Sequence, residues 1–191
     1  MKDKIKKQIL DSILVKEAIL NYCINDIERA AKVLLKSIQN GGKILWCGNG
    51  GSAADAQHLS TELMGGMGNH ERKPIPSISL TTDTSFITAW SNDTDFESIF
   101  SRQVQGLGKK NDVLIGISTS GNSDNVIAAI KQAQYKDIYT IGFTGNKGSK
   151  MDGLADMTIA VPSKDTQRIQ EGHIMIGQIL CGIIENQLLK K

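Results

Sequence analysis

The chain has 191 residues, of which 40% are apolar and 22% are charged, and this suits one ordinary domain with a substantial core. The formal net charge is only +2 and the signs alternate along the chain, so we expect no binding to nucleic acid. No apolar run reaches the length of a membrane span, and the three scattered cysteines form no C-x-x-C pair. We therefore expect reduced thiols, a cytoplasmic location and no membrane partner.

Apolar residues at helical spacing between Ile24 and Ile38 predict an amphipathic helix, which Gly41 and Gly42 would end. Short apolar runs then alternate with helix-length segments: KILWCG from Lys43, PSISL from Pro76, DVLIGIS from Asp112, YTIGFT from Tyr139 and MTIAV from Met157. Such alternation predicts right-handed crossovers and a parallel sheet that is covered on both faces. A last helical stripe runs from about residue 166 to residue 189.

We therefore predict one domain over residues 1–191 with an α/β fold. Its centre is a doubly wound, five-stranded parallel sheet of the flavodoxin-like type, with extra N-terminal and C-terminal helices. Those helices leave more apolar surface than one sheet can cover, which predicts a homo-oligomer.

Ligands of doubly wound folds bind at the carboxyl ends of the strands, and a glycine-rich turn follows the first predicted strand. In CGNGGSAADAQH, the strand leads into Asn49, Gly50, Gly51 and Ser52. Glycines allow the backbone to approach a ligand closely, and Ser52 is placed to cap the next helix. The turn is neither a dinucleotide fingerprint nor a P-loop, and alone it is equally typical of a plain strand-to-helix connection.

A second turn, GISTSGNSDNV, follows the third predicted strand and places four hydroxyl groups within six residues, at Ser118, Thr119, Ser120 and Ser123. A helix that begins near Ser123 would add free backbone N–H groups and the positive end of its dipole. This pattern predicts a phosphate-binding turn built without Lys or Arg. The alternative is a helix N-cap after a polar turn, but a cap needs only one hydroxyl.

His58 and Glu62 are four residues apart on the helix predicted after the glycine-rich turn, so both can face one ligand or metal ion. Taken alone, this spacing is more typical of a surface pair. Other candidates have simpler interpretations. Trp46 and Trp90 are expected to pack beside strand ends, His70 to lie in a solvated loop, and Asp83 to line the pocket or cap a helix.

Four motifs together resemble the sugar isomerase (SIS) family and, within it, the bacterial phosphoheptose isomerases: CGNGGSAADAQHLSTEL, the ND of AWSNDTDFESIFSRQV, DVLIGISTSGNS and TQRIQEGHIMIGQIL. The resemblance spans nearly the whole chain. It implies isomerisation of sedoheptulose 7-phosphate to D-glycero-D-manno-heptose 7-phosphate through an enediol(ate), for lipopolysaccharide core or capsule. It also implies a homotetramer with active sites between subunits and a bound zinc ion.

Matched by motif, the resemblance makes Glu62 the catalytic base. It places the substrate contacts at Asn49, Gly50, Gly51, Ser52, Glu62, Asn92, Asp93, Ser118, Thr119, Ser120, Ser123 and Gln170. It places the metal ligands at His58, Glu62, Gln170 and Gln178.

Position 178 departs from the family, which carries there a histidine that acts as acid/base and metal ligand. Gln178 offers an oxygen ligand but cannot carry a proton near neutral pH, so we expect weaker zinc binding and isomerisation. Gln170 and Gln178 would lie about 12 Å apart along one helix, so two subunits must contribute if both reach one ion. His173 does not obviously replace the missing histidine.

Two alternatives stay open. Relatives on this scaffold include tetrameric proteins that bind the bacterial replication initiator and have lost the glutamate equivalent to Glu62. A catalytically weak sugar-phosphate-binding regulator of that kind is the rival hypothesis; the retained Glu62 argues against it, whereas Gln178 argues for it. The second alternative is a related isomerase that acts on another sugar phosphate.

Overall fold

Five parallel strands form the centre of the structure, a computed structural model that describes residues 1–145 and 148–189. The strands are β1 (Ile44–Gly48), β2 (Ser77–Ser79), β3 (Val113–Ile117), β4 (Tyr139–Thr144) and β5 (Met157–Ala160). Their order in the sheet is β2-β1-β3-β4-β5, and every neighbouring pair is parallel. This is the flavodoxin-like order, so the predicted fold class is confirmed.

Helices cover both faces of the sheet. In the described part of the chain they are α1 (Lys2–Tyr22), α2 (Ile24–Gln39), α3 (Gly51–Gly65), α4 (Thr84–Asp93), α5 (Ile99–Leu107), α6 (Asp124–Tyr135) and α7 (Thr166–Leu189). One core lies between the sheet and helices α1, α2, α3 and α7, and the other lies under α5 and α6. The extra helices predicted at both ends are therefore present.

Along β1, alternate side chains pack into the two different cores. Ile44 and Trp46 pack into the core under α2, α3 and α7, whereas Leu45 and Cys47 pack into the opposite one. All five residues of β1 are buried, as expected for a strand covered on both faces. Trp46 is a packing residue, as predicted, and its indole Nε1 donates to Ser77 Oγ at 2.9 Å.

The connection between β4 and β5 differs from the helix-length crossover that the sequence predicted. The described residues of this connection, Gly145 and 148–156, form turns, in which Gly148 and Gly153 adopt φ values of 99° and 78°. Such positive φ values interrupt a helix, and glycine adopts them without strain. Gly41, with φ 77°, follows the end of α2 as predicted.

The three cysteine side chains are buried, as predicted for reduced thiols. Burial raises the pKa of Cys47 and Cys181 to about 12, which keeps both thiols protonated. Among the described residues, no helix combines the length and hydropathy needed to cross a membrane.

Helices α3 and α7 lie side by side and run in the same direction. The side chain of Gln170 lies against Gly51 at the start of α3. Two turns further along α7, Gly177 packs so closely on Leu59 that an added Cβ would come within 2.3 Å of Leu59 Cδ1. Because a glycine at 177 brings the two helices together, polar side chains that flank this contact face one another.

Candidate active site

Two turns meet at the carboxyl edge of the sheet because β1 and β3 are neighbours. The glycine turn, residues 49–51, follows β1, and the serine turn, residues 118–123, follows β3. Asn49 and Asn125 join them through a reciprocal amide pair, in which each Nδ2 donates to the other Oδ1, at 2.8 and 2.9 Å. Asn125 is buried and was not singled out from the sequence. The pair holds the two turns in a fixed relation.

The prediction that Ser52 caps the helix after the glycine turn is wrong. Helix α3 begins at Gly51, its N-cap residue is Gly50, and no side chain caps it. Gly50 adopts φ 56° and ψ −118°, which starts the helix two residues earlier than a cap at Ser52 would. Ser52 is consequently buried inside the first turn.

Hydroxyl groups converge in the serine turn. Ser118 Oγ lies 2.9 Å from Ser123 Oγ and 3.4 Å from Ser120 Oγ. Ser123 is the N-cap residue of α6, as predicted, yet its side chain accepts no capping hydrogen bond and instead contacts Ser118. The backbone turns at Gly121, whose φ is 64°. Three hydroxyl oxygens so close to one another suit the oxygens of a phosphate group.

A cavity of about 420 Å³ opens beside the serine turn. It is lined by Thr119, Ser120, Ser163, Lys164, Thr166 and Ile169. Lys164 supplies a cation that the turn itself lacks, and sequence reasoning missed it. The available signal was its position in the polar segment between β5 and α7, again at the carboxyl edge of the sheet.

A second polar group lies between α3 and α7, and we call His58, Glu62 and Gln178 the α3/α7 cluster. His58 Nε2 lies 3.1 Å from Glu62 Oε1. Gln178 Nε2 lies 2.5 Å from His58 Nε2 and donates to Glu62 Oε1 at 3.4 Å. The side chain of His58 is 51% exposed and that of Glu62 is 20% exposed, so the cluster is open to a ligand from one side.

Two of the three separations within the α3/α7 cluster fit a divalent cation, whereas the 2.5 Å between Gln178 Nε2 and His58 Nε2 is shorter than two ligands of one ion would show. Two ligand atoms about 2.1 Å from one ion are about 3.0 Å apart at a right angle and about 3.4 Å apart at the tetrahedral angle. The separations of Glu62 Oε1 from His58 Nε2 and from the Gln178 amide, 3.1 and 3.4 Å, match these values. A half-turn of the Gln178 amide would exchange its nitrogen for the oxygen that can bind a metal.

Gln170 occupies a different position from Gln178. An added Cβ on Gly51 would lie 2.6 Å from Gln170 Nε2, so this amide rests on the glycine turn, at the opposite end of α3 from Glu62. Within one chain, the amide that joins His58 and Glu62 is that of Gln178. Participation of Gln170 in the same metal site, through a second subunit, stays a prediction.

Asp55 is a second residue that the sequence did not single out. It precedes His58 by three residues on α3, and its Oδ2 is buried without a hydrogen-bond partner among the described residues. Burial raises the pKa of Asp55 to about 6, although the nearby His58 lowers it. The spacing of Asp55 and His58 in DAQH was the available signal for this carboxyl group.

Asn92 and Asp93 lie at the end of α4 and are exposed, and Asn92 Nδ2 donates to Asp93 Oδ1 at 2.8 Å. Within the described residues, no hydrogen bond or ion pair joins them to the two turns or to the α3/α7 cluster. Helix α4 has no buried residue, so much of its surface is uncovered in a single chain.

The remaining sequence candidates have structural roles. Asp83 caps α4 and accepts from Phe86 N at 2.9 Å. Trp90 donates from Nε1 to Ser98 Oγ at 2.7 Å, and His70 is exposed in a loop. His173 is fully buried, with Nε2 2.9 Å from Thr144 O, and burial lowers its pKa to about 4. A neutral, buried His173 therefore contacts β4 and does not join the α3/α7 cluster.

Comparison with known proteins identifies close relatives. Residues 11–145 match the family model of the SIS domain. A phosphoheptose isomerase from Aneurinibacillus thermoaerophilus is 49% identical over 192 aligned residues, 100% of this chain and 96% of the relative. The phosphoheptose isomerase of Aquifex aeolicus (strain VF5) is 47% identical over 191 residues, 100% of both chains. The solved phosphoheptose isomerase of Neisseria gonorrhoeae superposes with a TM-score of 0.91 and 41% identity over 97% of this chain and 98% of that chain.

Proposed function

Because this chain belongs to the phosphoheptose isomerase family of SIS domains, we propose that it interconverts sedoheptulose 7-phosphate and D-glycero-D-manno-heptose 7-phosphate. The reaction moves one proton between neighbouring carbons and needs no external oxidant or reductant. It requires a base beside the reacting carbons, stabilisation of an enediolate, and a grip on the distant phosphate.

Glu62 is the base in this proposal. Its carboxylate removes a proton from C1 of the ketose, and the electrons of that C–H bond form the C1=C2 double bond of the enediolate. The same carboxyl group then returns the proton to C2, while the hydroxyl proton of O1 is lost and O2 gains one. His58, 3.1 Å from Glu62 Oε1, holds this carboxylate in position.

The phosphate lies in the serine turn in this proposal, where hydroxyl groups and the start of α6 accept its negative charge. Lys164 adds a charge-assisted hydrogen bond from the adjoining cavity. The glycine turn and Gln170 contact the middle of the sugar chain. Two observations carry the proposal: the pairing of Glu62 with His58 on α3, and the hydroxyl groups that converge in the serine turn after β3, the strand next to β1.

A divalent cation, for which the family resemblance names zinc, is part of the proposal. His58, Glu62 and the amide oxygen of Gln178 would hold it, with Gln170 as a further candidate ligand. When bound, such an ion polarises a carbonyl oxygen and offsets the charge of an enediolate.

Deuterium exchange tests the proposed reaction. In heavy water with added divalent metal, the protein should convert sedoheptulose 7-phosphate to the aldose and incorporate deuterium at C2. Glu62→Gln should lower kcat by roughly 100- to 10,000-fold, the usual contribution of a general base. Glu71→Gln, at an exposed loop glutamate, should retain full activity. Full turnover by Glu62→Gln would show that Glu62 is not the base. A protein that neither isomerises the sugar phosphate nor exchanges deuterium would favour the hypothesis of a sugar-phosphate-binding regulator.

A homotetramer with active sites between subunits is the quaternary proposal, in the cytoplasm and serving lipopolysaccharide or capsule synthesis. Its support is apolar surface: α1 exposes Ile5, Ile9, Leu10, Ile13, Leu14 and Leu20. Light scattering coupled to gel filtration should give four times the mass of the chain, 20.7 kDa. A monomer mass at micromolar concentration would contradict the proposal.

A further inference from the structure

The α3/α7 cluster contains one imidazole, one carboxylate and one amide. Among the described residues, no three His, Cys, Asp or Glu side chains come together in an arrangement that could hold a metal ion. The group of His58 and Glu62 is completed instead by Gln178, whose amide contacts both. This composition determines which cations the cluster can prefer.

Ligand chemistry separates zinc from harder cations. Zinc sites in proteins are built from thiolate, imidazole and carboxylate, and catalytic sites have three such ligands. Carboxylate, carbonyl and water oxygens suit Mg²⁺ and Mn²⁺, which accept six ligands and retain several waters. In the α3/α7 cluster only His58 offers nitrogen, and in a single chain its side chain is 51% exposed, so water can approach the cluster from that side.

We infer that Gln178 is the residue that determines metal selectivity here, and that it shifts the site from zinc toward hard divalent cations of the Mn²⁺ class. The inference rests on the proposed function only in assigning a metal to this cluster. An amide oxygen is a neutral, hard donor, and it contributes far less to zinc affinity than an imidazole nitrogen in the same position.

The chain provides a direct test through Gln178→His, which restores an imidazole at the position that contacts His58 and Glu62. Metal-free protein is titrated in a calorimeter with Zn²⁺ and, separately, with Mn²⁺. Mutation of a residue that only hydrogen-bonds to a metal ligand changes metal affinity by roughly 10- to 100-fold. A new ligand should therefore strengthen Zn²⁺ binding by at least about tenfold more than Mn²⁺ binding.

Two further variants keep the test decisive. Gln39→His adds a histidine at an exposed position at the end of α2 and should leave the ratio of zinc to manganese affinity unchanged. Gln178→Glu adds a hard carboxylate and should strengthen Mn²⁺ binding at least as much as Zn²⁺ binding. It also provides the readout if Gln178→His does not fold.

An unchanged affinity ratio in Gln178→His, or a rise in zinc affinity alone in Gln178→Glu, would overturn the inference. The deuterium-exchange assay separates this failure from failure of the proposed function. A protein that isomerises the sugar phosphate with an unchanged ratio refutes the metal inference alone. A protein whose ratio shifts as expected, but which never isomerises, refutes the function and leaves the metal inference standing.

Discussion

Glu185 is the buried carboxylate at the end of α7, and its removal should destabilise the protein strongly. Glu185 Oε2 accepts from Arg72 Nε at 2.6 Å and from Met67 N at 2.9 Å, and Oε1 accepts from Gly68 N at 2.8 Å. The Arg72 side chain is 4% exposed and also donates from Nη2 to Glu62 O at 2.9 Å. The network therefore ties the segment after α3 to α7.

Glu185→Gln keeps the shape of the side chain but leaves the buried Arg72 cation without its counter-ion. Removal of one partner of a buried ion pair costs about 3–5 kcal/mol. Because Gln can still accept a hydrogen bond, we expect the lower end, about 3 kcal/mol. For a chain of this length, 1 kcal/mol shifts Tm by about 2–4 °C, so Tm should fall by roughly 6–12 °C.

The pH dependence of stability gives the same prediction a second readout. Desolvation raises the pKa of Glu185, but hydrogen bonds from Arg72 and two backbone amides outweigh it and lower the value from 4.5 to about 2. A lowered carboxyl pKa stabilises the fold fully above pH 4.5, and this contribution is lost as pH falls toward about 2. Glu185→Gln should lack that part of the acid-induced loss.

Scanning calorimetry at fixed protein concentration measures both effects. Glu28→Gln is the control, because Glu28 pairs with Lys32 at the surface and both side chains are more than 60% exposed. Its Tm should change by less than about 2 °C. The double variant Arg72→Met/Glu185→Gln should be more stable than Glu185→Gln alone, since no unpaired charge remains. A Tm for Glu185→Gln equal to that of the control would refute the reasoning.

Three further predictions concern the candidate site. Lys164→Ala should raise KM for the sugar phosphate at least about tenfold with little change in kcat, because a charged hydrogen bond contributes about 1.5–3 kcal/mol. Steady-state kinetics that show a constant KM would contradict this prediction. Gly51→Ala should displace the Gln170 amide and lower activity roughly tenfold or more, whereas Gly65→Ala has open space around its Cβ and should retain activity. Equal turnover rates for the two variants would contradict this prediction. The raised pKa of Asp55 means that stability present below pH 3.8 is lost as pH rises through about 6. Asp55→Asn should therefore raise Tm at pH 7.5 but not at pH 3.5. A calorimetric scan that shows no gain at pH 7.5 would contradict a pKa raised by burial.

The order of strands and helices was predictable because apolar runs and turn residues are local signals. KILWCG and DVLIGIS have apolar centres, as strands covered on both faces must, and these centres form β1 (Ile44–Gly48) and β3 (Val113–Ile117). The serine turn was predictable for a similar reason, since its hydroxyl groups are adjacent in the chain. The N-terminus of α3 was predicted two residues late, because the positive φ of Gly50 is set by the turn and not by the identity of Ser52.

Contacts between distant segments could not be derived from the sequence. Helical spacing separates Gln170 from Gln178 but does not say which of them meets His58 and Glu62, since that depends on the close packing of Gly177 on Leu59. Lys164 lines the same cavity as the serine turn only because β3 and β5 end at the same edge of the sheet. The reciprocal pairing of Asn49 with Asn125 likewise depends on β1 and β3 being neighbours.

Helix α7 contributes to two separate parts of the candidate site, and this makes its length more restrictive than its composition. Thr166, its first residue, lines the cavity beside the serine turn, and Gln178 faces His58 twelve residues later. One inserted residue between them would rotate everything beyond it by about 100° and advance it by about 1.5 Å. Substitutions on the outer face of α7 should therefore be tolerated, whereas an insertion or deletion between Thr166 and Gln178 would displace one of these two side chains from its partners.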